Sequence, residues 1–218
     1  GSTFDLTLRT VFLVRHGESS SNAGGVTMPH ALIPLTALGR QQAIDLVERL
    51  PARPVHPVRV FASPFVRAMD TAKPYAERMG VSVELEPLLQ EFDMIDPALI
   101  AGMDQAQRRP IADAFWQLAD PDKRMGDQAE TFRAFAGRVS SFLADRLPSL
   151  PDGTVCFGHG IWIGMAAWQL LGFSALDSDA MRQFRRFQNG MPLANGIVYR
   201  LVELAPGAWA LRANSLKE

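Results

Sequence analysis

The sequence is nearly free of cysteine. Cys156 is the only one in 218 residues, so a disulfide framework is excluded, and its place inside the apolar stretch TVCFG marks it as core filler, not nucleophile or metal ligand. Long hydrophobic runs are missing too, since Arg or Asp interrupts each one before the roughly 18 residues that a bilayer crossing needs. Neither sign of charge dominates: 22 Lys and Arg stand against 23 Asp and Glu, which leaves no footprint for nucleic acid. The N-terminus shows neither the basic flank nor the apolar stretch of a secretory leader. The expectation is a soluble, cytoplasmic protein with no membrane and no nucleic-acid partner.

What is present is the making of a core. Hydrophobic residues make up 47 % and charged residues 21 %, a globular balance rather than a disordered or fibrous one. Short β-branched runs at 10–14 (TVFLV), 58–62 (VRVFA), 81–85 (VSVEL) and 154–157 (TVCF) read as strands, three of them apolar enough to be covered on both faces. GIVYRLVEL and AWALRA surround the turn signal APG and predict a C-terminal hairpin or edge pair. Helical periodicity follows Thr36 over residues 37–50 and fills 129–147, while Ser63 before Pro64 predicts a helix opening with the serine as N-cap. With no repeat or linker in sight, the pattern predicts one domain over residues 1–218. Its expected fold is a three-layer α/β/α sandwich with a mostly parallel central sheet and a helical cap insertion at about 92–126.

Three charged clusters share one position relative to these strands. RHGE follows the first, SPFVRA the second and GHG the fourth. In an open α/β sheet ligands bind beyond the carboxyl ends of parallel strands, so Arg15, His16, Arg67 and His159 are predicted to converge on one pocket. Such a pocket suits phosphate. Two arginines and a protonated histidine would neutralise a dianion, and the same cations would keep His16 neutral, with a lone pair free to attack. Gly17 would let the chain turn tightly and approach a ligand.

LVRHGES with Asn22, then SPFVRAMDTA, then GHG, resembles the histidine phosphatase superfamily, also called the phosphoglycerate mutase-like family, over about residues 10–200. The resemblance implies a phosphohistidine on His16, with Arg15, Arg67 and His159 holding the phosphoryl oxygens and Asn22 and Gly160 completing the binding set. It also implies that Glu91 in EPLLQEFD is the general acid and base, with Glu86 and Asp93 as nearby rivals, and that no metal or other cofactor takes part. A small phosphorylated metabolite is the expected partner, with a homodimer allowed. Two departures favour hydrolysis over phosphoglycerate mutase chemistry: Phe92 stands where mutases carry an arginine, and AGGVTMPHALIPLT holds none. A binding module that has lost the reaction is the remaining alternative. Glu130 and Thr131 are expected near the pocket by the same resemblance.

Other residues are left with bland roles or none. His30 and His56, in loops marked by proline, read as exposed spectators. Arg182, Arg185 and Arg186 read first as a solvated helix face and second as contacts to another anionic group of the substrate. Arg108 and Arg109 fit a lid or a surface helix equally well, and Met103, Phe115 and Trp116 fit either a cap core or a pocket wall.

Overall fold

The computed structural model describes residues 8–52 and 57–214; His56 lies outside them. Six strands form one sheet: β1 (Thr10–Arg15), β2 (Val60–Ala62), β3 (Val83–Leu85), β4 (Val155–Gly158), β5 (Val198–Ala205) and β6 (Ala208–Ala213), in the order β3-β2-β4-β1-β5-β6. The first four in that order run parallel. β5 joins β1 antiparallel and turns back into β6, as the hairpin signal predicts.

Alternation along each strand builds the layers. Val14, Val60, Ala62, Val155 and Phe157 face one side and pack with Leu46 and Tyr75, which come from helices α1 (Ala37–Leu46) and α2 (Val66–Met79). Their neighbours Leu13, Phe61 and Cys156 face the other side. There they meet α4 (Phe132–Ser141) and α5 (Gly160–Leu170), with α3 (Gln105–Leu118) and α6 (Ser178–Gly190) beyond them. The period of two therefore sends successive residues into two separate cores, and the sheet is covered on both faces. Burial pushes the Cys156 thiol up to about 12, as befits a core residue.

Two helix boundaries differ from expectation. α2 begins at Val66, with Phe65 at its N-cap and no side-chain cap, because the Ser63 hydroxyl is engaged elsewhere. α4 begins at Phe132 with Thr131 as its cap, and its chain widens into a π-helical turn over Phe142–Arg146. The segment 92–126 contributes one α-helix, α3, after a 3-10 turn at Pro97–Ile100. Phe115 and Trp116 are buried in an aromatic cluster with Phe92 and Phe132. They are core. Among the described residues no helix is long and apolar enough to cross a membrane.

Candidate active site

Strand register creates the site. Arg15 lies opposite Gly158, and Ala62 opposite Phe157, so β1 and β4 stop at one level, β2 stops one residue earlier, and the next residue of each is delivered to the same end of the sheet. Those residues are His16, His159 and Ser63. Backbone bonds from His16 N–H to the Gly158 carbonyl (3.0 Å) and from Ser63 N–H to the Phe157 carbonyl (3.0 Å) extend the ladder into the loops.

The His16 loop is clamped against α1. A Cβ on Gly17 would come within 2.4 Å of the Gly39 carbonyl oxygen, and one on Gly39 within 2.0 Å of the Glu18 carbonyl oxygen. Gly17 is thus required by contact with another backbone rather than by a tight turn or a ligand. Thr36 seals the junction, accepting from Gly39 N–H (3.1 Å) and donating to Glu18 Oε1 (2.8 Å).

The His16 imidazole is 3 % exposed. It donates through Nδ1 to the Gly17 carbonyl at 2.6 Å, which makes Nε2 the unprotonated nitrogen. The Arg67 Nε–H donates to that nitrogen at 3.3 Å. Burial first, then the charges of Arg67 and Arg15, hold His16 well below the usual imidazole range. The ring is a neutral nucleophile.

His159 sits edge-on to His16, with ring centroids 5.2 Å apart, and packs on its other side against Phe65. Its Nε2 bonds Ser63 Oγ at 2.9 Å, and its buried Nδ1 has no partner. Complete burial, with the Arg67 charge behind it, keeps this imidazole neutral too. The expected protonated histidine is therefore not the resting form, and the site's positive charge comes from arginines.

Arg67 spends Nη1 on the His30 carbonyl at 2.6 Å, and its plane lies over the Phe65 ring. Desolvation brings its pKa down to about 10. Arg15 bonds the Leu193 carbonyl through Nη1 and keeps a buried, unpartnered Nε. A Cβ on Gly160 would fall 3.1 Å from that Nε, so glycine there makes room for the guanidinium.

Glu91 faces the same space. Its Oε1 accepts from the amides of Phe92 (2.8 Å) and Trp162 (3.1 Å), and its Oε2 from that of Ile161 (2.9 Å). The carboxylate thus caps the first turn of α5. Desolvation outweighs these bonds and the two arginine charges, and the pKa is raised above the ordinary carboxylate value. Its rivals are excluded by position: Glu86 is bound to Arg146 at 2.8 Å outside the cleft, and Asp93 faces the His30 ring at 3.1 Å.

These groups open onto a cleft of about 540 Å³. Arg15, His16, Asn22, Arg67, Glu91 and Gly160 line it, with His159 directly behind. Asn22 uses Oδ1 on Ser19 and on Asn195, leaving its Nδ2 uncommitted. Glu130 and Thr131 do not line the cleft. Glu130 instead pairs with Arg138 at 2.7 Å, and Arg138 grips the carbonyls of Leu88, Gln90 and Glu91 from behind. The bracing of Glu91 by Arg138 and the seating of His159 by Ser63 went unread in the sequence. His30 was misread as a spectator, whereas it lines the cleft and anchors Arg67.

The family model of the histidine phosphatase superfamily (branch 1) matches residues 11–191. The chain belongs to that superfamily. A probable phosphoglycerate mutase GpmB of an Enterobacter species is 32 % identical over 181 residues, covering 79 % of this chain and 79 % of that protein. The crystal structure of a putative alpha-ribazole-5'-P phosphatase from Escherichia coli superposes with a TM-score of 0.71 at 25 % identity, covering 95 % of this chain and 96 % of the other. A mycobacterial glucosyl-3-phosphoglycerate phosphatase shares the fold with a TM-score of 0.67 at 23 % identity, over 95 % and 97 % of the two chains.

Proposed function

We propose that the chain is a phosphomonoester hydrolase acting on a small phosphorylated metabolite through a phosphohistidine at His16 Nε2, without need of a metal. The observation that carries this reading is a buried neutral imidazole whose unprotonated nitrogen is held by Arg67, in a cleft that Arg15 and a carboxyl of raised pKa also line.

In the first step Nε2 attacks phosphorus, the bond to the leaving oxygen breaks, and Glu91 protonates that oxygen. Arg15, Arg67 and Asn22 Nδ2 meet the charge on the phosphoryl oxygens as it spreads in the transition state, with His159 holding the His16 ring from behind. In the second step water attacks phosphorus, the phosphorus–nitrogen bond breaks, Glu91 takes the water proton, and His16 returns to its free form. Phosphoryl transfer between hydroxyls is the second reading, favoured by the name of the 32 % identical relative. Against it, Phe92 fills the position of a carboxylate-holding arginine and is stacked on Phe135 in the core, with centroids 4.9 Å apart.

Incubation with phenyl phosphate in the presence of a chelator tests the proposal. The expected result is steady phosphate release together with an acid-labile, alkali-stable label on the protein from radioactive substrate. His16→Ala should remove the label and lower turnover about ten-thousandfold or more. Release by that variant within tenfold of the parent rate would overturn the assignment.

A further inference from the structure

Five arginines and two carboxylates line the main cleft, and the arginines divide sharply by what they hold. Arg15 and Arg67 stand at the reacting end. Arg108 is consumed by the chain itself: it donates to the carbonyls of Gly25 and Met103 at 2.8 Å each and also reaches Thr27 and Ser21, stapling the 20s loop to α3. Arg109 is exposed. Arg185 is different from all of these.

Arg185 extends from α6 with its guanidinium 4.5 Å from the centroid of the Trp116 ring. Gln188 holds it there by accepting from Nη1 at 2.7 Å. It is partly buried, yet no acid pairs with it among the described residues, whereas its exposed neighbour Arg182 has Asp179 at 3.6 Å. Burial lowers its pKa, while the charges of Asp113 and Glu91 pull the other way. A cation that is partly desolvated and fixed in place, but paired directly with no acid among the described residues, gains when a ligand supplies the anion.

Its location fits that role. Arg185, Asp113 and Asn189 line both the main cleft and a shallower adjoining groove of about 410 Å³, which Trp116, Arg182 and Arg186 also border. Arg185 stands where the two meet. A group attached to a phosphate at His16 and extending along the cleft would reach it without leaving the protein surface.

We infer that Arg185 is a specificity-determining residue that receives a second oxyanion carried by the leaving group, so that the substrate is a phosphomonoester bearing another carboxylate or phosphoryl group. The planar fork of the guanidinium donates paired hydrogen bonds to either, and the Trp116 indole beneath it holds the fork in place. In its kinetic form the inference rests on the hydrolase reading; in its binding form it does not.

The experiment compares phenyl phosphate, 4-carboxyphenyl phosphate and 4-phosphonophenyl phosphate by kcat/KM, in the parent protein and in Arg185→Gln. The parent should prefer at least one two-anion probe by about tenfold or more, and Arg185→Gln should reduce that preference about tenfold. The probe that loses more identifies the anion. Equal rates on all three probes, or a variant that slows all three in proportion, would overturn the inference. Calorimetric titration of the same probes into His16→Ala, with and without Arg185→Gln, reads the same ratio as affinity and needs no turnover. Tighter two-anion binding that depends on Arg185, in a protein that hydrolyses nothing, would sink the hydrolase reading and keep this one. The absence of that difference in both assays would sink this one alone.

Discussion

The two ends of the cleft are built from different materials. At the reacting end, strand register places His16, Ser63 and His159 side by side, a backbone carbonyl orients each of Arg15, His16 and Arg67, and the amides of α5 hold Glu91. At the far end the groups are long side chains on the surfaces of α3 and α6; Arg108 is tied to main-chain carbonyls, while Arg185 is held by the side chain of Gln188. On the proposed reading the sheet sets phosphate chemistry, while leaving-group choice rests on helical positions that can change without disturbing a strand. At one end His16 and Ser63 cannot move without breaking ladder bonds. The other can be rewritten residue by residue.

The sharpest way to probe this contrast is Glu91→Gln. It should lower kcat about a hundredfold to ten-thousandfold on alkyl phosphates, whose oxygen needs a proton to leave, and much less on an aryl phosphate. The pH profile carries the sign. Glu91 must be protonated to act as the acid, so the parent rate falls as pH rises through its raised pKa, and this limb should vanish in the variant. His16 stays neutral well below the usual imidazole pKa, so loss of the nucleophile on the acid side comes late. The optimum should lie between the lowered His16 pKa and the raised Glu91 pKa. A profile identical in parent and Gln variant would show that Glu91 is not the acid.

Arg138→Leu should give the next largest effect. It removes the grip on three carbonyls around Glu91 and leaves Glu130 unpaired, at a cost of about 2–3 kcal/mol. Denaturant unfolding measures that loss, and kcat should fall more than KM rises, since the acid and not the phosphate grip is loosened. Retention of both stability and kcat would mean that the rigid end does not depend on this brace. Arg182→Gln should do least. Its pair with Asp179 is exposed and long, so thermal melting should report a change within about 0.5 kcal/mol. A large loss there would erase the distinction between a fixed end and an adaptable one.

Legibility in the sequence follows the same division. The apolar strands and the tripeptide after each were readable because a buried parallel strand has a plain pattern and charged residues at its carboxyl end have one place to go. Arg15, His16, Arg67 and His159 came from that logic, and Glu91 came from family resemblance, since three nearby acids look alike on paper. Ser63 was misassigned because a Ser-Pro pair signals a helix opening, and nothing local reveals that an imidazole 96 residues away takes the hydroxyl. His30 and Arg138 were missed for a related reason. Both act through main-chain carbonyls, and a carbonyl leaves no trace in residue identity. Arg185 was raised only together with Arg182 and Arg186, as a solvated helix face first and an anion contact second, because three arginines in one helix look alike until Trp116 is seen beneath one of them.

A carboxyl group that has just surrendered a proton ordinarily pulls it back. On the proposed reading the newborn Glu91 anion finds the amides of Ile161 and Trp162 already aimed at it from the start of α5, so part of its charge is met without any group having to move. The helix does this with peptide groups alone, beyond the reach of any substitution that leaves the main chain in place.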